Sequence, residues 1–235
     1  MAFNFVKTAA NALSGLFFPD LCAACDRALS GSEQVLCLHC LLNLPRTGLH
    51  RLPENKVQRL FTGRLPLVRA TAFTYFTKDG MMQHLLHQLK YKGRAATGSF
   101  LGNVFGQELQ ADGWLEATDL LVPVPLHRQK AYRRGFNQAA LIAGGIAAAT
   151  SLPVAANALE RVRDTGSQTR KSRLERLDNV ATVFRAGKAA QIRGKRLLLV
   201  DDVLTTGATL EAAGLALLEA GAASLGIATL ALATD

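Results

Sequence analysis

The sequence predicts an α/β domain built on a parallel sheet, preceded by a small cysteine-bearing module. Strand-like apolar runs at 70–76, 120–124, 197–200 and 225–232 alternate with helical periodicities at 81–91, 100–109, 137–149 and 209–220. That alternation is the pattern of parallel strands joined by crossover helices. All four cysteines of the 235 residues fall between positions 22 and 40. Apolar residues make up 49% and charged residues 19%, so a sizeable core can form and wholesale disorder is excluded.

Each element has its own justification. The N-terminal 18 residues are mildly apolar with a single Lys7, and read as a short amphipathic helix. They lack the basic start and small-residue cleavage site of an export signal, so a cytoplasmic, reducing setting is expected. Residues 45–66 are basic, contain prolines and read as a connection, placing a boundary at 66/67. Residues 70–76 (ATAFTYF) alternate as a strand. Met82, Leu85, Leu86 and Leu89 share one helical face. Residues 137–149 form a small-residue helix, and the apolar run 197–200 suits a strand covered on both sides. The most apolar C-terminal stretch, 220–234, has 15 residues, short of the ~20 a bilayer span needs.

Cys22-x2-Cys25 and Cys37-x2-Cys40 are separated by eleven residues. Two such knuckles can present four thiolates to one tetrahedral Zn²⁺, stapling a module too small to hold itself together. Two disulfides fit a reducing compartment poorly, and two redox pairs this close would be unusual. His39 lies inside the second knuckle and is read as a bystander beside four sulfurs.

The net charge of +9 is uneven: residues 121–200 hold 15 basic and 4 acidic residues. Just beyond lies the most informative string, 197–209 (LLLVDDVLTTGAT). A buried strand ending in Asp201 and Asp202 places two acceptors where a pair of ribose hydroxyls can bind, directly or through Mg²⁺. The following Thr205, Thr206, Gly207, Ala208 and Thr209 lead into a helix. Its N-terminal N–H groups, the threonine hydroxyls and the close approach that Gly207 allows suit a phosphate. The plainer alternative is a solvated strand end with Thr209 as an ordinary helix cap. It is not a Walker loop, because no Gly-Lys-Ser/Thr is present.

Upstream, residues 122–127 (VPVPLH) end a strand with two prolines, and Arg128, Lys130, Arg133 and Arg134 follow at once. If both strands belong to one parallel sheet, this loop and the acid pair share an edge. Residues 161–184 are polar and basic, with Gln168 at their centre, as a lid over a polyanion would be. Lys90 and Lys92 stand at the end of the 81–91 helix, where cations are favoured in any case. His84 and His87 read as surface or packing residues.

These segments resemble the competence protein F family (ComF, with GntX-like relatives). The resemblance is carried by the two Cys-x2-Cys knuckles, residues 89–94 (LKYKGR), 122–127 (VPVPLH), 134–138 (RGFNQ), 167–169 (SQT) and the string ending at Thr209. Lys171 and Val183 depart from the apolar and the small residue usual there. The string 197–209 resembles the phosphoribosyl pyrophosphate (PRPP) site of type I phosphoribosyltransferases, and residues 122–125 resemble the pyrophosphate loop of amidophosphoribosyltransferases.

The resemblance implies a zinc ribbon in residues 1–66 and a type I phosphoribosyltransferase fold in residues 67–235. It implies a phosphoribosyltransferase acting with PRPP and Mg²⁺, and a link to DNA uptake in competent bacteria. The site residues are then Asp201 and Asp202 at the ribose and residues 205–209 at the 5′-phosphate. Lys90, Lys92, His127, Arg133, Arg134 and Gln168 would lie around the pyrophosphate. Two rival expectations stand beside it. One is a non-catalytic accessory binding single-stranded DNA and a motor protein; the other is a PRPP-sensing regulator.

Overall fold

The computed structural model describes residues 19–91, 93–127, 132, 134–162, 183–187 and 189–234. The chain divides into two compact units, Met1–Leu44 and Pro45–Asp235. The 66/67 boundary expected from sequence and the observed 44/45 boundary differ by the segment 45–66, which packs within the second unit.

In the first unit an isolated bridge joins Leu21 to Ala28, and Asp26 turns back with its N–H on the Cys22 carbonyl at 3.0 Å. Asp26 takes a positive φ of 57° to close that turn. The second knuckle opens helix α1 (Leu38–Leu42), where the Cys37 sulfur accepts the Cys40 N–H as a cap. Glu33 ties the intervening residues together. It accepts the Ser30 and Leu38 N–H groups and pairs with Arg27 at 3.0 Å. The two N–H donors hold its carboxyl below the usual range.

The second unit opens with a 3-10 turn (Leu49–Arg51) and helix α2 (Lys56–Leu60), then β1 (Arg69–Phe76), α3 (Met81–Tyr91) and α4 (Ala95–Ala111). β2 (Leu120–Pro123) and α5 (Gln138–Thr150) follow, then β3 (Leu159–Arg161), β4 (Phe184–Ala186) and the short α6 (Ala189–Ile192). The chain closes with β5 (Arg196–Leu204), α7 (Ala208–Glu219) and β6 (Ser224–Ala233). Four strands form one parallel sheet in the order β1-β6-β5-β2. β6 lies in the interior and is buried along all but its end residues, which its apolar sequence permits. Among the described residues no helix is long and apolar enough to cross a membrane.

Three features differ from the sequence expectation. β5 does not end in its two acids: it pairs with β6 as far as Leu204↔Leu232, while its pairing with β2 stops at Val200↔Pro123. Apolar periodicity marked only the part of β5 covered on both sides. Residues 45–66 are not a plain connection, because Asn55 anchors them. Its side chain caps α2 by accepting the Val57 and Gln58 N–H groups and donates to the Leu49 and Ala70 carbonyls. Finally, both ends of the basic 161–184 segment are strands. β3 and β4 pair antiparallel, and Val183 is a buried residue whose carbonyl accepts the Val162 N–H at 2.9 Å. The rest of that segment, 163–182 with Gln168 and Lys171, lies outside the described residues, as do 1–18.

α4 and α5 touch backbone to backbone through glycines. A Cβ on Gly145 would lie 2.2 Å from the Ser99 carbonyl oxygen and 2.7 Å from the Asn103 nitrogen. Gly→Ala inside a helix ordinarily gains about 1 kcal/mol of propensity. Here the clash must dominate, since overpacking costs roughly 1–3 kcal/mol and backbone atoms cannot swing aside. Gly145→Ala is therefore expected to lower the urea midpoint at unchanged slope; a stabilised variant would contradict this packing.

Candidate functional site

The site forms where β5 outruns β2. β2 ends at Pro123, and the last bond across is Val124 N–H to the Val200 carbonyl, 2.9 Å. Asp201 and Asp202 come next on β5, beside an edge β2 no longer covers. Asp202 meets the Lys90 ammonium at 2.7 Å, with 17% and 23% of the two side chains exposed, so the pair sits at a partly wet mouth. Lys90 comes from the last turn of α3. Asp201 Oδ1 accepts the Asp202 N–H at 2.8 Å, and Asp202 Oδ1 accepts the Val203 N–H at 2.7 Å.

Burial pushes the Asp201 carboxyl up to about 8, and the adjacent Asp202 carboxylate adds to the rise. The Asp202 N–H, the Lys90 ammonium and the Arg161 guanidinium pull the other way without cancelling it. Asp201 thus keeps its proton near neutral pH and can donate as well as accept a hydrogen bond.

Beyond β5 the chain turns at Gly207, whose φ of 79° makes it the left-handed cap of α7. Gly207 has no side chain to bond the first turn, and the Thr206 hydroxyl lies 3.5 Å from the Ala208 N–H. Thr209 is the second residue of α7, so it is not the cap. Thr205, Thr206 and Thr209 are exposed, and Gly207 is buried against the segment before β1. A Cβ there would lie 2.9 Å from two ring carbons of Phe61. Arg64 donates to the Thr206 carbonyl at 3.0 Å and pairs with Glu211 of α7.

The residues on either side of the basic loop share this edge. Asn137 donates from Nδ2 to the Val124 carbonyl at 2.9 Å and caps α5 by accepting the Ala139 N–H at 3.1 Å. The residues that bracket the loop are thereby joined. His127 is half-buried within it. Arg134 donates to Gln138 at 3.1 Å and its guanidinium lies 5.5 Å from the Tyr91 ring centroid. Lys92, Arg133 and Gln168, like Arg128 and Lys130, lie outside the described residues. A separate cavity of about 460 Å³ near the far end of α7, lined by Val162, Phe184, Arg185 and Glu219 among others, does not involve the acid pair.

In the first unit the Sγ atoms of Cys22, Cys25, Cys37 and Cys40 all lie within 4.8 Å of one another, and none is in a disulfide. Cys25 and Cys37 are 3.8 Å apart, which matches the edge of a tetrahedron with metal–sulfur bonds of about 2.3 Å. Four sulfurs so placed can hold a metal ion. Burial raises the Cys22 thiol, but N–H donors from Cys37, Ala24 and Cys25 outweigh it and bring it to about 7. Burial and the neighbouring sulfurs push Cys40 up. Crowding resists loss of all four protons until a cation compensates. His39 is exposed and outside this cluster.

The profile of the phosphoribosyl transferase domain matches residues 137–234. The DNA utilization protein YhgH of Escherichia coli K12 is 30% identical over 208 residues, 87% of either chain. Competence protein F of Haemophilus influenzae is 35% identical over 97 residues, covering 41% of this chain and 42% of its own. Competence protein ComFC of Bacillus subtilis is 31% identical over 149 residues, covering 63% and 58%. The chain belongs to the competence protein F family. Its fold is of the phosphoribosyltransferase type. Among solved structures, the B. subtilis glutamine PRPP amidotransferase complexed with ADP and GMP aligns at a TM-score of 0.43 and 24% identity. That alignment covers 61% of this chain and 30% of the enzyme's own.

Within this family member, the structure brings together Asp201, Asp202, residues 205–209, Lys90, His127 and Arg134 on one sheet edge. Sequence reasoning missed Phe61 and Arg64, which sit some 140 residues before the loop they support; nothing local marks them. Arg161 was read as lid charge. It lies in β3, with its guanidinium 5.4 Å from the Phe184 ring centroid, and its field reaches Asp201.

The Asp201 shift carries a pH signature. Its folded value lies above the unfolded one, so its contribution to stability is complete below about pH 4 and is lost as pH rises through about 8. In metal-free buffer, wild-type stability is expected to fall across that window relative to Asp201→Asn, measured by urea denaturation at several pH values. Parallel curves for the two proteins would contradict a raised Asp201.

Proposed function

We propose that this chain binds PRPP with Mg²⁺ and transfers its phosphoribosyl group to an acceptor, in the service of DNA uptake. One observation carries the reading. Asp201 and Asp202, the exposed threonines before α7, and the joined ends of the basic loop all open on the edge where β5 outruns β2. The names of the relatives, DNA utilization and competence proteins, supply the link to DNA.

The chemistry follows from the groups present. Asp201, protonated, and Asp202 take the two ribose hydroxyls with complementary donors and acceptors. Thr205, Thr206 and Thr209 donate to the 5′-phosphate, together with the first N–H groups of α7. His127 and Arg134 face the pyrophosphate, with Lys90 at its flank; Lys92, Arg133 and Gln168 are assigned to it by the family resemblance alone. Lys90 already neutralises Asp202 at 2.7 Å, so the acid pair can be held at this mouth before a ligand arrives. Asp202 and the pyrophosphate oxygens offer the hard oxygen donors that Mg²⁺ prefers, and the ion supplies neutralising charge to the departing pyrophosphate. Residues 163–182 have the polar, basic composition expected of a lid that would exclude water from the ribose.

For the first unit we infer Zn²⁺ at the four cysteines, in a cytoplasmic, reducing setting that keeps the thiols available. The soft sulfur donors and the 3.8 Å Cys25–Cys37 spacing support that metal. The purified protein is expected to carry one equivalent of zinc by mass spectrometry and to lose it in Cys25→Ser or Cys40→Ser. Full zinc in either variant would exclude these ligands.

A second ligand for the same mouth has a specific observation behind it. The Arg134 guanidinium lies over Tyr91, which is 66% exposed, giving a cation and an aromatic face side by side for the bases of single-stranded DNA. Oligonucleotide affinity is then expected to fall steeply with salt and to drop several-fold in Tyr91→Ala. An unchanged affinity in that variant would remove this ligand from the mouth.

The test of the main reading is calorimetric titration and thermal denaturation with Mg²⁺ and PRPP. Millimolar PRPP should raise the melting temperature by mass action on the folded state. The rise should largely vanish in the Asp201→Asn/Asp202→Asn double variant. No shift in the wild type would sink the PRPP assignment.

A further inference from the structure

We propose that Arg64 is the positioning residue of the phosphate cradle, holding the Thr206 carbonyl and the Glu211 carboxylate together on the side of the loop away from the ligand. The inference rests on the PRPP reading of residues 205–209. Arg64 comes from the segment before β1, and its side chain is 33% exposed. Nη1 donates to the Thr206 carbonyl at 3.0 Å and to the Leu60 carbonyl, the last of α2, at 3.3 Å. Nε and Nη2 both donate to Glu211 Oε2, at 3.1 and 2.5 Å. One guanidinium thus joins α2, the loop and the first turn of α7.

Two consequences follow. In a trans peptide the carbonyl and the next N–H point to opposite sides. Every peptide bond among the described residues is trans. Drawing the Thr206 carbonyl toward Arg64 therefore aims the Gly207 N–H away from it. Phe61 supports the same face, leaving no room for a Cβ on Gly207. Glu211 sits in the first turn of α7, where its charge suits the helix dipole but repels a phosphate at the same helix end. Arg64 cancels that repulsion at the Glu211 side chain. A lysine can neutralise Glu211 but cannot hold carbonyl and carboxylate in one planar fork.

The experiment is calorimetry on the full chain with three probes: Mg·PRPP, ribose 5-phosphate and Mg·pyrophosphate. Arg64→Met should weaken PRPP and ribose 5-phosphate by about tenfold or more, the loss of one charge-assisted contact set. Pyrophosphate, read by the basic loop, should change by less than about twofold. Arg64→Lys should fall between, and it carries the test if Arg64→Met does not fold. Equal loss of all three probes in the Arg64 variants would overturn the proposal, because Arg64 would then only hold the unit together. Wild-type affinity for PRPP in both Arg64 variants would overturn the clamp alone and leave the PRPP reading standing. A wild-type chain that binds neither PRPP nor ribose 5-phosphate would overturn both.

Discussion

The site depends on one mismatch of strand length. β5 remains paired to β6 for four residues after β2 has stopped pairing with it. The Val124 N–H makes the last bond across, to the Val200 carbonyl. β6 supports the freed part of β5 on its other edge, so the backbone at Asp201 and Asp202 stays in a fixed extended form. A ligand cleft on a parallel sheet needs such an exposed yet rigid strand end. Had β2 run on, it would have covered the acid pair. Had β5 stopped with it, the two carboxylates would have stood on a loop.

That rigid frame makes the electrostatics possible. Two adjacent carboxyls in a half-buried position oppose each other's ionisation, and here the conflict is resolved unequally. Asp201 is pushed upward by burial, and Asp202 is joined to Lys90. The resulting set of one neutral acid, one carboxylate and one ammonium has little net charge in the cleft. Among the described residues, Arg161 adds a positive field at Asp201. The charge excess of the sequence lies in residues 121–200, ahead of the acid pair in the chain.

Residues 45–66 give the 205–209 loop its support. Asn55 fixes this segment to β1, and Phe61 and Arg64 then meet the loop. Gly207 is restricted from both directions: its positive φ disfavours other residues, and the Phe61 ring fills the space a side chain would need. A segment that composition marks as a linker therefore packs against the loop that opens α7.

How much of this was legible before folding depends on whether the signal is local. The alternation of apolar runs marked the sheet-forming strands and their crossover helices along the chain, because each element must bury a face with its own period. The knuckle spacing identified four cysteines that the fold brings close enough to hold a metal ion, and the string from Leu197 to Thr209 identified acids, hydroxyls and helix start, because these groups are neighbours in the chain. Tertiary structure alone decided where β5 ends, because that is set by pairing with β6 and not by hydrophobicity. It also decided that Lys90 reaches Asp202, that Arg161 tempers Asp201, and that Arg64 and Phe61 support a loop about 140 residues away. Those contacts join segments with no shared periodicity, and a charged or aromatic side chain carries no mark of its distant partner until the sheet has brought the two together.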